Sequence, residues 1–169
     1  MIKDMSDNNI HFTLKDQLKK YRHLFQKHFQ TEHFPAGTTF NINGFAASHP
    51  YFLLSGTVYV YTTSISGQER LIGIHERNTI FNLDSFRKKT EATVTTRAQT
   101  NVSALSFTLD DLDPLLREEP DLYRDLLLYT ADVLRLMRYD ATEQSVHNVR
   151  TRLINFFLLY IKDRDTLVV

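Results

Sequence analysis

The run Tyr51-Phe52-Leu53-Leu54-Ser55-Gly56-Thr57-Val58-Tyr59-Val60-Tyr61 decides the fold of this chain. Four apolar residues in succession predict a buried strand, and the glycine predicts a bend after it. In the second half, aromatic and β-branched residues alternate, which is typical of a half-buried strand. Residues 64–69 include Gly67 and predict a hairpin loop, after which residues 70–75 return as the partner strand.

Period-two patterning extends on both sides of this run, from Phe34 to about Leu109. It includes a short strand at residues 38–42 and two more at residues 93–96 and 104–108. Many short strands with glycine turns between them indicate a β-barrel or jelly roll.

Helical spacing replaces the strand pattern at both ends of the chain. Apolar residues from position 10 to about position 29 recur every three or four residues, which predicts an amphipathic helix. A short helix is expected to end by Glu119, and Pro120 suits the first turn of a long helix that follows. A further helix is predicted from about residue 148 to residue 162.

The composition excludes several classes of protein. Lys and Arg balance Asp and Glu at 20 each, so the chain lacks the strongly basic character of an independent DNA-binding domain. The absence of cysteine excludes disulfides, thiolate nucleophiles, iron–sulfur clusters and cysteine-bound zinc. The N-terminus has no apolar core typical of a secretory signal, and the longest apolar run is too short to span a membrane. We therefore predict a cytoplasmic protein without a membrane partner.

One face of the long helix has the alternating steps of four and three that define a coiled-coil seam. The seam consists of Tyr123, Leu127, Thr130, Leu134, Met137 and Ala141. A helix with an apolar stripe has to cover that stripe. We predict that the seam is a homodimer interface, and packing on the strands is the alternative.

Several short motifs together resemble one family. They are the Tyr-x-Leu-x-Ser-Gly-x-Val-x-Val run from Tyr51 to Val60, Gly67, Arg97-Ala98-Gln99-Thr100, Asp111-Leu112-Asp113-Pro114 and Val149-x-x-Arg152-Leu153. In this order they are similar to the effector half of the cyclic-AMP receptor/fumarate–nitrate regulator (CRP/FNR) superfamily of bacterial transcription regulators.

This resemblance implies an α+β fold, namely a double-stranded β-helix (jelly roll) of the cyclic-nucleotide-binding type with N-terminal helices and a long C-terminal dimerisation helix. Residues 1–119 would form the N-terminal helices and the β-roll effector domain, and residues 120–147 the dimerisation helix. Residues 148–169 would be the first helix of a missing or truncated DNA-binding region. Transcription regulation is implied, with DNA contacted only through a helix-turn-helix that is not present in this chain.

Relatives that bind cyclic nucleotides carry a Gly-Glu-x-x-Leu cassette followed by Arg-Ser-Ala. Glycine lets the backbone approach the phosphate, the carboxylate accepts from the ribose hydroxyl, and arginine pairs with the phosphate charge. At the matching positions this chain has Asn82 and Leu83, and later Ala92-Thr93-Val94. Burying a phosphate without its cation is costly, so we predict that cyclic AMP is not the ligand.

The resemblance instead implies a small effector of unknown identity, held between this cassette and the long helix. The predicted effector-binding residues are Phe81, Asn82, Leu83, Asp84, Ser85, Thr93, Val94, Thr95, Leu134, Met137 and Arg138. Arg138 is equally well interpreted as a solvated or interhelical arginine.

No catalytic residue, metal site or cofactor is predicted. The carbon-monoxide sensors of the family have a haem-ligating histidine close to the position of Asp84, which is a poor haem ligand. His75, on the preceding strand, is interpreted as a surface or satisfied residue. The histidines do not form the His-x-His-plus-Glu pattern of cupin-type metal enzymes. Two alternatives stay open, a ligand-free dimerisation module and a cupin-like metalloenzyme.

Overall fold

The computed structural model describes residues 12–64, 66–87, 89–146, 149–155 and 157, and for residues 143–146 it describes the backbone alone. Residues 1–11 and most of the segment after residue 155, which include parts of the first and last predicted helices, lie outside the described residues. The chain divides into two compact units, Thr13–Tyr129 and Met1–Phe12 with Thr130–Val169.

Two β-sheets make up most of the unit Thr13–Tyr129. Its strands are β1 (Thr13–Leu14), β2 (Thr31–Phe34), β3 (Thr39–Asn41), β4 (Tyr51–Ser55), β5 (Val58–Thr63), β6 (Glu69–His75), β7 (Thr79–Phe81), β8 (Thr95–Ala98) and β9 (Val102–Ser106). One sheet has the order β1-β6-β5-β8-β3 and the other the order β2-β9-β4-β7. Strand β1 pairs parallel with β6, whereas β5 pairs antiparallel with both β6 and β8. The predicted β-roll is confirmed.

The run that predicted the fold forms β4 and β5, and its side chains lie as the pattern requires. All four residues from Tyr51 to Leu54 are buried, while β5 buries Val58 and Val60 and leaves the intervening tyrosine half-buried. Gly56 connects the strands with a φ of 92°, and a Cβ at this position would lie 2.3 Å from the carbonyl oxygen of Asn101. Both the left-handed backbone and this close approach require glycine.

The helices are α1 (Arg22–His28), α2 (Leu112–Glu118) and α3 (Asp121–Val146), and residues 149–155 are also helical. Helix α1 packs on the β-roll through Phe25, whose ring stacks on Phe52 of β4 at 4.4 Å between centroids. The start of α3 is fixed through Asp125, which accepts a hydrogen bond of 2.8 Å from the Tyr21 hydroxyl. The predicted long helix after Pro120 is confirmed.

The prediction of one amphipathic helix from residue 10 to about residue 29 is wrong for residues 12–18, and residues 19–28 are helical. Helical structure begins with a 3-10 turn at Lys19–Tyr21 and continues as α1. The preceding residues form β1, and the N–H groups of Asp16 and Leu18 donate to backbone carbonyls in the turn after β6. Leu14 and Leu18 are buried along this irregular path, so their helical spacing reflects tertiary packing rather than a helix.

The strands differ from prediction at several points, and strand β7, like β1, was not predicted. Strand β2 was not predicted because it is an edge strand whose residues Thr31 to His33 are polar and exposed. Strand β9 begins two residues earlier than expected. Strand β8 begins at Thr95 rather than Thr93, because the Thr93 N–H donates to the side chain of Asp84 instead of to a neighbouring strand.

Candidate effector site

The cassette segment, defined as residues 80–95, leaves strand β7 through a residue in the left-handed conformation. Asn82 has a φ of 61° and precedes a 3-10 turn at Leu83–Phe86. Asparagine tolerates this region of the backbone better than other non-glycine residues do. The turn that glycine was expected to provide is therefore present without glycine.

The Asn82 side chain is only 5% exposed and fixes that turn through its hydrogen bonds. Its Oδ1 accepts a hydrogen bond of 2.8 Å from the Thr96 hydroxyl, and its Nδ2 donates to Ser48 Oγ and to the His49 carbonyl, both at 3.3 Å. Thr96 Oγ1 in turn accepts from the backbone N–H of Asn41. Paired polar groups in a buried place hold one geometry, since breaking them leaves unsatisfied groups.

Two buried polar atoms in this region have no hydrogen-bond partner within the part of the chain that the structure describes. They are Asn41 Nδ2, a donor, and Ser85 Oγ, which both donates and accepts. Ser85 belongs to the predicted effector-binding set, whereas sequence reasoning missed Asn41. Buried polar atoms normally have a partner, so each of these two atoms is a candidate contact for a bound molecule.

Asp84 lies within the 3-10 turn and is bonded to the loop that follows it. Its Oδ2 accepts from the Thr93 N–H at 3.1 Å and from the Thr93 hydroxyl at 3.4 Å. Its backbone carbonyl accepts from the Arg87 N–H at 3.2 Å and from the Thr90 hydroxyl at 3.4 Å. The sequence assigned Asp84 to the site but gave no sign of its pairing with Thr93.

Cyclic nucleotide binding would require charged residues at positions 83 and 92, but both residues are neutral in this chain. Ala92 is 2% exposed and its backbone N–H donates to the Phe45 carbonyl at 2.8 Å. Leu83 is half-buried at the position of the missing carboxylate. A phosphate placed here would have no guanidinium from residue 92 and no carboxylate from residue 83.

The remaining predicted site residues have varied surroundings. Phe81 is buried and stacks on Tyr51 at 5.1 Å between ring centroids. Thr95 is buried and its hydroxyl accepts from the Asn43 N–H at 3.1 Å, while Val94 is half-buried.

Three more predicted site residues lie on the part of α3 that belongs to the second unit. There Met137 is half-buried, and Leu134 and Arg138 are exposed. Their share in an effector site stays a prediction.

A contact that sequence reasoning missed joins α3 to the start of the cassette segment. The phenol oxygen of Tyr129 accepts from the Ile80 N–H at 3.2 Å, donates to the Ile80 carbonyl, and lies 3.2 Å from His75 Nδ1. Because the phenol has one proton, which goes to the carbonyl, His75 donates from Nδ1. Complete burial lowers the pKa of His75 to about 4, so the ring is neutral at physiological pH.

Tyr129 also completes the edge of a sheet. Strand β7 is the last strand of its sheet, and the phenol occupies the N–H and carbonyl of Ile80 that a further strand would otherwise bind. The sequence carries a weak signal for this face, since Leu122, Tyr129 and Leu136 recur every seven residues and all are buried.

The predicted dimer seam lies on another face of α3 and is exposed. Tyr123, Leu127 and Leu134 are 68%, 62% and 49% exposed. Thr130 and Ala141 are exposed as well, whereas Met137 is half-buried. An apolar stripe on a single chain is consistent with an interface, and dimer formation stays a prediction.

Comparison with known proteins places this geometry in a family. The sequence model of the cyclic nucleotide-binding domain matches residues 31–119, which is more than half of the chain. The chain belongs to the cyclic nucleotide-binding domain family. A direct comparison with curated protein sequences gives no match.

Solved structures of CRP/FNR regulators share the fold of this cyclic nucleotide-binding domain. Oxidised CprK in complex with o-chlorophenolacetic acid has a TM-score of 0.66 at 16% identity, over 88% of this chain and 61% of that one. The catabolite activator protein of Thermus thermophilus has a TM-score of 0.63 at 23% identity, over 75% and 59%. The c-di-GMP-responsive regulator CLP of Xanthomonas campestris has a TM-score of 0.66 at 16% identity, over 82% and 70%.

These matches confirm the predicted α+β class, and the shared fold is the one that the resemblance to the CRP/FNR superfamily implies. The chain spans about three-fifths of the length of the first two regulators. Among the described residues, no group of three His, Asp or Glu side chains is arranged to hold a metal ion. The described helices include none with the length and apolar character that crossing a membrane requires.

Proposed function

We propose that this cyclic nucleotide-binding domain is the sensory and dimerisation part of a cytoplasmic, non-enzymatic transcription regulator of the CRP/FNR type. It senses a small effector other than cyclic AMP. The observation that carries this proposal is a cassette segment that keeps its turn through Asn82, has neutral residues at positions 83 and 92, and leaves Asn41 Nδ2 and Ser85 Oγ buried without a partner.

The polar atoms favour an effector with its own hydrogen-bonding groups. Asn41 Nδ2 offers a donor, and Ser85 Oγ offers a donor or an acceptor. At the positions of the two missing charges, the side chains of Leu83 and Ala92 are apolar. A compact organic molecule with one or two polar groups matches these surroundings better than a phosphate ester does. CprK has been crystallised with o-chlorophenolacetic acid, which is a compact organic molecule but carries a charged carboxyl group at neutral pH.

The mechanism we propose is a shift between two arrangements of paired α3 helices, biased by the effector. The exposed seam supplies the pairing surface, and the predicted residues Leu134, Met137 and Arg138 would complete the effector site from the helix. The attached DNA-binding region of a full-length regulator would then change position. Residues 148–169 would form the start of that region, as the sequence predicts.

Two other functions make different predictions. A ligand-free dimerisation module would have the same fold and the same seam but no effector. A cupin-like metalloenzyme would bind a stoichiometric metal ion, which elemental analysis of the purified protein detects.

A thermal-shift screen of small phenols, small acids, their amides and cyclic nucleotides tests the sensor proposal. A specific effector at 100 times its Kd raises the free energy of unfolding by about 2.7 kcal/mol. We expect a hit among the small organic molecules, lost in Ser85→Ala and retained in Asp132→Ala, which changes an exposed residue of α3. A screen without hits would favour the ligand-free module.

A further inference from the structure

The loop after the 3-10 turn contains a pair of donors that a carboxylate already occupies. The N–H and the hydroxyl of Thr93 both point to one oxygen, Asp84 Oδ2, at 3.1 and 3.4 Å. A backbone N–H and a side-chain donor that converge on one negatively charged oxygen are how loops bind small anions. Here the anion belongs to the chain itself, nine residues before Thr93.

The backbone of Asp84 is held independently of its side chain. Its carbonyl accepts from the Arg87 N–H at 3.2 Å, and the single proton of the Thr90 hydroxyl is shared between this carbonyl at 3.4 Å and the Arg87 carbonyl at 2.8 Å. Removal of the carboxylate alone therefore leaves the loop bonded and the donors of Thr93 facing a space of carboxylate size.

We propose that Asp84 is a specificity-determining residue whose carboxylate occupies the Thr93 donors as an internal anion and excludes anionic groups from this part of the site. The loop then accepts effectors whose nearest group is uncharged or donates a hydrogen bond to Asp84, such as an amide, a hydroxyl or an amine. Because this selection presupposes an effector, it rests on the proposed function. The hydrogen bonds from Thr93 to the Asp84 carboxylate do not depend on the proposed function.

The carboxylate of Asp84 favours the same selection, whereas the exposed Arg87 and Lys89 of the loop carry the opposite charge. An incoming phosphate or carboxylate meets the negative charge of Asp84, and Ala92, buried beside the loop, contributes only a methyl group. Like charges at close range disfavour each other, whereas a neutral donor gains a charge-assisted hydrogen bond. The loss of the cation and the presence of Asp84 thus act in one direction.

Chemical rescue tests the internal anion without any effector. Asp84→Ala is expected to lower the melting temperature, and sodium formate or acetate should restore about 2 to 4 °C beyond sodium chloride of equal ionic strength. The wild-type protein should show no difference between these salts. Adding Thr93→Val, which removes one of the two donors, should abolish most of the rescue in the double variant.

Several results would overturn the internal anion. They are a formate-specific shift of equal size in the wild-type protein, no formate-specific shift in Asp84→Ala, or rescue that persists unchanged in the Asp84→Ala/Thr93→Val double variant. If Asp84→Ala does not fold, the isosteric Asp84→Asn variant replaces it. That variant keeps an acceptor for the Thr93 N–H but loses the charge, so it should bind small acids at least tenfold better than the wild type does.

Matched pairs of acids and amides separate this inference from the proposed function. For an effector found by the thermal-shift screen, the amide should bind the wild-type protein at least tenfold more tightly than the corresponding acid. A preference for the acid would overturn the selection by Asp84 and leave the sensor proposal intact. A screen without hits would count against the sensor proposal, and the formate experiment would still decide the occupation of Thr93.

Discussion

The substitution Tyr129→Phe removes only one hydroxyl group, yet we expect it to lower the free energy of unfolding substantially. The phenol oxygen pairs with the N–H and carbonyl of Ile80 and with His75, and all three residues are buried. Phenylalanine keeps the ring, so no cavity forms. Two backbone groups of Ile80 lose their partner in a buried place. Each buried unsatisfied group costs about 1–3 kcal/mol.

We therefore expect Tyr129→Phe to lower the free energy of unfolding by about 2–4 kcal/mol. For a chain of this length the melting temperature falls by about 5–12 °C. Urea unfolding followed by circular dichroism gives the free energy, and native-state hydrogen exchange gives the protection of the Ile80 amide. The exchange measurement is specific, because loss of the phenol should expose that amide first.

The matched control is Tyr59→Phe, which deletes the same group from a half-buried side chain of strand β5 that is not part of the predicted dimer seam. Its effect should stay within about 0.5 kcal/mol. Both variants are measured at one protein concentration, because dimer formation makes stability concentration-dependent. The reasoning fails if Tyr129→Phe unfolds like the control and the Ile80 amide exchanges at the wild-type rate.

Three further outcomes follow from the described contacts. The pKa of His75 is lowered from 6.5 to about 4 by burial, so the unfolded chain binds the proton first and stability falls as the pH drops from 6.5 to 4. Over this window the free energy of unfolding of the wild type should fall by about 3 kcal/mol more than that of His75→Phe, as measured by urea titrations at each pH. Parallel pH profiles of the two proteins would refute this role of His75. Gly56→Ala should lower the free energy of unfolding by more than about 2 kcal/mol. Gly67 has open space around it, so Gly67→Ala should lower it by only about 1 kcal/mol. Equal losses in the two variants would contradict the close approach at Gly56. Leu127→Glu should convert the predicted dimer to a monomer in sedimentation velocity experiments, whereas the control Arg124→Glu should leave it dimeric. If Leu127→Glu is still a dimer, the interface lies elsewhere.

The strands that lie at the centre of the sheets could be predicted from sequence, because burial imposes a pattern on consecutive residues. Val58 and Val60 alternate with half-buried tyrosines, and Gly56 is required by a close approach. Strand β2 could not be predicted because its edge position leaves polar side chains exposed. The helical spacing around Leu18 was misleading, since tertiary contacts bury that residue in a non-helical segment.

The candidate site was predictable as a segment and not as a set of contacts. Family motifs located residues 81–85 and 93–95. The left-handed backbone at Asn82 and the pairing of Asp84 with Thr93 depend on loop geometry that composition does not encode. Tyr129 and His75 are 54 positions apart, so their contact follows from the packing of α3 on β7 and leaves no local pattern.

Isothermal titration calorimetry with cyclic AMP tests the central claim most directly. A cassette with Leu83 and Ala92 at the charged positions is expected to show no saturable heat up to millimolar nucleotide, since a phosphate there would be buried without a cation. Stoichiometric binding with a micromolar Kd, weakened by substitution of Asn82 or Ala92, would contradict it.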